Sequence, residues 1–331
     1  MRRGKSLVFV LGVLVLALSS PARQRSPGED PKPFLFQSNF WVNLHLFLRA
    51  EARRQSVGSQ LLLPDSSLRE DERIAWDGAR DAYTPLAKLN LIFDERLIRI
   101  NNALSRAGDV QRLPSGTVEP DVLAVLNAAA PVYRSHLWDQ HRAANEKWIT
   151  DFSPMVLQHA VAVTSVLAAA YQVKWPSDPI LVDVACESGP TLAYTTGGRP
   201  GTAGHTVIAP TKASDPDVAF EIVFHEASHT VDGHIMQMVD DEAARQHVKA
   251  DPDLWHTIIF YTAGEIVRRE LGRKNDPTYK PYANRVDLYQ SAGWQKLQKA
   301  LETDWQPYLD RKVDLKTAMR NLVRDASESG P

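Results

Sequence analysis

His225 and His229 stand four residues apart, and Glu226 directly follows the first of them. No other feature constrains the fold of this chain as tightly. Residues i and i+4 share one face of an α-helix, so both imidazoles reach a common point only if the segment is helical. Glu226 then sits about 100° round the helix, beside that point rather than on it. The flanking residues suit a helix start. Ser214 or Asp215 can cap it, Pro216 fits the first turn, and Asp217 favours the positive end of the helix dipole. Val218 and Ile222 lie seven and three residues before His225. The histidine face is therefore otherwise apolar and turns inward, where electrostatic interactions are strong.

Two imidazoles on one face with a carboxylate beside them form the pattern for one bound Zn2+ per chain, with Glu226 as general base on the metal-bound water. A catalytic zinc needs a third protein ligand and an open position. An extended motif would place Gly at 232 and His at 235, but these positions hold Asp232 and Ile235. His234 would reach the ion only through a break at Gly233. Glu265 is the better candidate. Asp251-Pro252 opens a second helix, Arg268, Arg269 and Arg273 gather at its far end, and Gly272 marks a stop. Ile258, Tyr261, Thr262 and Glu265 share a face of that helix, and a carboxylate there needs a cation. Ala263 and Gly264 let a neighbouring helix approach. The competing role for Glu265 is a surface pair with Arg268 or Arg269. The competing ligand is His256, nine residues earlier and on the opposite face, so a straight helix cannot present both to one ion.

These residues resemble the gluzincin metallopeptidases, which carry His-Glu-x-x-His on one helix and a glutamate ligand on a following helix. The resemblance covers about residues 180–270. It implies one zinc held by His225, His229 and Glu265, with Glu226 as base and a peptide or protein as substrate. It also implies that the strand ahead of the first helix, here Thr206–Ala209, receives substrate as an added strand. The aspartate that many gluzincins carry four residues after the glutamate is Arg269 here. Asp232 is the candidate to support a ligand histidine instead. Tyr261, one turn before Glu265, is the candidate for stabilising an oxyanion, with His205, Tyr282 and Tyr289 as alternatives.

The rest of the chain frames this centre. Arg2, Arg3 and Lys5, the apolar run Leu7–Leu18 and Ser20-Pro21-Ala22 have the layout of a signal peptide over residues 1–22. The run is shorter than the roughly 20 residues of a span. No membrane span is expected after its removal, and a secreted or periplasmic location is. Residues 23–34 read as a Pro-rich linker. Periodicity predicts helices near 38–54, 67–83, 85–106 and 119–148, the last broken at Pro131, and another from Ser153-Pro154 to Val173. Ile180–Ala185, Thr191–Thr195 and Thr206–Ala209 read as strands, with Gly197–Gly201 as a loop. The expected fold is α+β and mostly helical. A helical N-terminal region, 35–175, packs on a zincin-like catalytic region, 176–331, with a small sheet and an active-site helix pair.

A net charge of −2 provides no field for nucleic acid. The single cysteine, Cys186, excludes intramolecular disulfides and Cys-based zinc sites. A thiol mechanism with His205 as base is a weaker reading. Two other functions fit the same motif. One is a zinc amidase acting on a non-peptide amide. The other is a non-enzymatic secreted binding protein built on helices 38–173, in which Glu265 would lie far from His225 and His229.

Overall fold

The computed structural model describes residues 33–189, 191–196, 204–212, 215–274 and 278–327. The expected signal peptide, nearly all of the expected linker, and the Gly197–Gly201 loop lie outside them. The described chain opens with strand β1 (Phe34–Gln37), followed by helices α1 (Phe40–Ser56), α2 (Glu70–Ala87), α3 (Glu95–Leu104), α4 (Pro120–Tyr133) and α5 (Asp139–Tyr171). Strands β2 (Ile180–Val184), β3 (Ala193–Thr196) and β4 (His205–Ile208) come next, then α6 (Pro216–Ser228), α7 (Asp232–Gln246) and α8 (Leu254–Lys274). Short helices α9 (Tyr282–Arg285), α10 (Leu288–Ser291), α11 (Gln295–Ala300) and α12 (Gln306–Leu309) lead to α13 (Leu315–Ala326). Among the described residues the chain is thus mostly helical with one small sheet, as the α+β reading expects.

The strand order is β1-β2-β4-β3, with β1, β2 and β4 parallel and β3 antiparallel to β4. Side-chain alternation makes the sheet a partition between two cores. Ile180, Val182, Val184, Ala193 and Ile208 face α5, α6 and α8. Tyr194 and Val207, paired across β3 and β4, face the opposite core built by α1–α4. A helix layer therefore covers each face.

Three expectations need correction. Phe34, placed in the linker, begins β1 and pairs with Ile180. The four-residue strand has no local signal, because its partner lies 146 residues away. The helix expected at 85–106 starts only at Glu95. Asn90 Oδ1 accepts from the N–H groups of Ile92 and Phe93, closing a turn, and Asp94 caps the helix. Pro131 and Pro154 do not separate helices. A π-helical turn, Arg134–Trp138, follows Pro131, and Pro120–Tyr171 is one helix of 52 residues. A buried stripe of Phe152, Val156, Ala160, Val163 and Leu167 continues past Pro154. Packing along that stripe outweighs the roughly 3 kcal/mol that an interior proline costs. This helix is long and apolar enough to cross a membrane by length and composition alone; here its inward stripe is core. The described residues form one compact unit, with no boundary near 175. β1 lies in the sheet beside β2, and α5 packs with α6 and α8 in one core.

The α6–α8 pairing sets the site. Glu221 on α6 is 1% exposed, and its Oε2 accepts from Tyr279 Oη at 2.5 Å and the Tyr282 N–H at 2.8 Å. Gly264 on α8 admits it. A Cβ at 264 would stand 3.0 Å from Glu221 Oε1 and 2.8 Å from Pro281 Cβ. Burial pushes the Glu221 carboxyl up to about 7, against the Tyr279 and Tyr282 hydrogen bonds and the charge of Arg285.

Two outcomes follow for stability. Phe34 is 2% exposed and meets Phe224 edge-on at 5.5 Å. Phe34→Ala should cost about 3–5 kcal/mol in urea unfolding; a loss below about 1 kcal/mol would mean that β1 is dispensable. The Glu221 carboxyl, raised from 4.5 to about 7, supports folding fully below its unfolded pKa. That support drains away as pH rises through its folded pKa. Glu221→Gln carries no charge at any pH. It should therefore gain on the parent between about pH 4.5 and about pH 8, by up to about 3 kcal/mol. A gap that stays constant across that range would remove the assignment.

Candidate metal centre

Asp215 caps α6, its side chain accepting from the N–H groups of Asp217 and Val218. Ser214, the alternative cap, lies outside the described residues. Every residue from Val218 to Ser228 is buried, as suits a helix enclosed by β3, α5 and α8. The α-helix stops at Ser228, and His229 opens a 3-10 turn, His229–Val231, that leads into α7. The two imidazoles still converge, with Nε2 of His225 3.3 Å from Nε2 of His229.

The third side chain is His256, on the first turn of α8. One nitrogen from each of His225, His229 and His256 lies within 4.8 Å of the other two. Burial, then the neighbouring imidazoles of His229 and His256, hold His225 well below its ordinary pKa. Burial, then His229, brings His256 down to about 3. Both are neutral imidazoles at neutral pH, the state that offers a lone pair to a metal. The spacing of the His225 and His229 donors fits too. Two nitrogens at zinc bond length on a tetrahedron stand about 3.3 Å apart. Nδ1 of His225 is buried with no hydrogen-bond partner. Nδ1 of His229 faces Asp232 Oδ2 at 3.5 Å, where the sequence reading expected support from Asp232.

Aromatic rings fix the imidazole planes. Phe260 stacks on His225 with centroids 3.8 Å apart, and Trp255 stacks on His256 at 5.1 Å. Trp294 meets His256 edge-on at 5.8 Å, pinned by a hydrogen bond from its Nε1 to Asp253 Oδ2 at 2.9 Å. The set keeps water off one side of the cluster and holds the donors in place.

Glu226 is 6% exposed. Burial raises its pKa, opposed by His229 and by a hydrogen bond from Thr195. Thr195 Oγ1 lies 2.8 Å from Glu226 Oε2, 3.0 Å from the Glu226 carbonyl oxygen and 2.8 Å from Thr206 Oγ1. A hydroxyl has one proton, and a carboxylate only accepts. Thr206 therefore donates to Thr195, which donates to Glu226. The two threonines are register partners on β3 and β4. Sequence reasoning missed both, because two threonines on unpaired strand segments carry no signal of their shared target.

Glu265 is not in the cluster. Its carboxylate takes hydrogen bonds from Arg268 Nε, Arg268 Nη2 and Arg269 Nε, each at 2.7 Å. Burial pushes its pKa up, but these two guanidinium groups hold it below the ordinary value. The reason is helix register. Gly264 of α8 meets Glu221 of α6, whereas His256 and Phe260 meet His225. The helices run antiparallel, so the residues of α8 level with the histidine pair are at its start. Glu265 lies nine residues further, about 13 Å along the axis and on the opposite face. Its ionic partner is the competing one, not a metal.

Tyr261 lies on the Glu265 side of α8. Its hydroxyl donates to Gln306 Oε1 at 2.7 Å, in a groove shared with Glu265, Arg268 and Tyr289. Tyr282 offers its N–H to Glu221. His205 is bonded to Asp183 at 2.7 Å on the other face of the sheet, and His234 is exposed. Among the described residues no phenol is hydrogen-bonded to the three histidines. Cys186 contacts Tyr133 Oη at 3.7 Å, and burial pushes its thiol up to about 12; its hydrogen-bond partner is Tyr133, and that of His205 is Asp183. The strand expected to receive substrate, β4, is hydrogen-bonded on both sides; among the described residues its neighbour β3 is an edge strand. No family model, curated protein or solved structure matches this chain.

Proposed function

We propose that this protein is a zinc-dependent hydrolase, and within that class a peptidase, acting outside the cytosol. The observation that carries the reading is the convergence of His225, His229 and His256 beside a buried carboxylate, Glu226. Three imidazoles are an established ligand set for catalytic zinc. Zinc bound there would lower the pKa of its water to about 7 and polarise a substrate carbonyl. The proposed ligand set is all-histidine, so the likeness to gluzincins rests on the motif helix alone.

The chain's own groups divide the work. Thr195 fixes Oε2 of Glu226, which leaves Oε1 to take a proton from an attacking water and return it to the leaving amine. Asp232 orients His229 through Nδ1. Phe260, Trp255 and Trp294 exclude bulk water, which strengthens every charge interaction in the centre. The peptide assignment rests on β3. It has one hydrogen-bonded neighbour among the described residues, and it carries the threonine that holds the base. A substrate strand added to that edge would pass Glu226. The basic start and apolar run of residues 1–22 support the extracytosolic placement.

Metal content and turnover separate the roles. Purified protein loaded with zinc and desalted should hold close to one ion per chain by elemental analysis. His256→Ala should weaken zinc binding by more than about 100-fold, whereas Glu265→Gln should leave it unchanged. Zinc lost in Glu265→Gln but kept in His256→Ala would reverse the ligand assignment. Glu226→Gln should keep its zinc and lose about 10²–10⁴-fold in turnover of unfolded casein or quenched peptides. Full turnover in Glu226→Gln would defeat the water-activation role. Thr195→Val should lower kcat with zinc content intact, and Thr195→Ser should restore it.

A further inference from the structure

A groove of about 800 Å3 lies between α5, α8 and the turn from α12 to α13. That volume is in the range of small-molecule sites. Its floor is Ala162, Val163, Val166, Ala169 and Ala170 of α5 with Ile266 of α8. None of these side chains can form a hydrogen bond, and Val166 is 49% exposed. Ala162 to Ala170 covers about 12 Å of helix. Ile266 is ten residues beyond His256 on the same helix, about 15 Å along it, so the groove is separate from the histidine centre.

The charged residues of the lining are Arg269, Glu270, Asp310, Arg311 and Lys312. Both acids are engaged. Glu270 bonds His159 Nδ1 at 3.0 Å. Asp310 is held by Arg269 at 2.7 Å, Gln306 at 2.9 Å and Lys312 at 3.1 Å. Arg311 is exposed, and no carboxylate pairs with it among the described residues. Its φ of 60° is fixed by a tight turn, with Arg311 N–H donating to Tyr308 O and Lys312 N–H to Pro307 O, each at 2.8 Å. Three cations against two anions leave one positive charge unbalanced at the rim of an apolar trough. Its complement is a monoanion on an apolar chain. A peptide laid there would find no partner for its amides on the floor, whereas an acyl chain needs none.

We propose that this groove binds a single-chain amphiphile with a carboxylate head, a fatty acid, with its tail along α5 and its head at Arg311. The proposal stands independently of the metal centre. Calorimetric titration of the full protein with monomeric dodecanoate should show saturable, one-to-one binding. Dodecyltrimethylammonium, with the same tail and the opposite charge, should bind at least about tenfold more weakly. Arg311→Glu and Val166→Glu, both at exposed positions, should each weaken dodecanoate at least about tenfold with unchanged melting temperature. His256→Ala should bind it like the parent. No saturable binding, equal affinity for the two amphiphiles, or indifference to Arg311→Glu would each overturn the proposal. So would co-sedimentation with phosphatidylglycerol vesicles without binding of monomeric dodecanoate, which would make this face a membrane-docking surface.

Discussion

The contact on which the site depends is the close antiparallel approach of α6 and α8 at Gly264. Without a side chain there, Glu221 can lie against α8 and take hydrogen bonds from Tyr279 and Tyr282. That contact fixes the axial register of the pair. Register in turn decides which residues of α8 stand level with His225, and these are Phe260 and His256. The histidine cluster is thus a product of packing one to three helical turns away from it. The cost is a buried acid whose protonation follows pH near neutrality.

Electrostatics around the cluster are arranged by exclusion rather than by compensation. Asp232 Oδ2 stands 3.5 Å from His229 Nδ1, and the buried Glu226 takes a hydrogen bond from Thr195. Burial therefore depresses the imidazole pKa values with little opposition. Glu265 shows the other solution. A buried acid with two guanidinium groups at 2.7 Å is satisfied by arginines of its own helix and has little left to offer a metal. The two faces of α8 thus solve the burial of polar groups in opposite ways.

Local signals in the sequence located the motif helix well. The Asp215 cap, the apolar face and the shared face of His225 and His229 all depend on residues within a few turns of one another. The strands β2, β3 and β4 were also legible, within two residues at each end. What was not legible is long-range. His256 and Glu265 were both visible as alternatives, since they lie on opposite faces of one helix. Choosing between them needs the register of α6 against α8, which Gly264 sets and periodicity does not report. The pairing of β1 with β2, and the threonine that holds Glu226, required knowing which strands are neighbours. The helix across Pro154 needed knowledge of a tertiary face strong enough to override a local breaker.

The unbroken helix from Pro120 to Tyr171 has a consequence for the molecule as a whole. Its first half contributes Val122, Leu126, Ala130 and Tyr133 to one core, and its second half contributes Val156, Val163 and Leu167 to the other. One rigid rod is thereby a wall of both chambers, and the sheet is their common floor. Such a protein has no seam. Neither core can loosen without pulling on a helix that the other core holds, so unfolding is expected to be a single event. A cut through the rod would expose apolar surface on both sides at once. Each half of this chain is walled by a piece of the other.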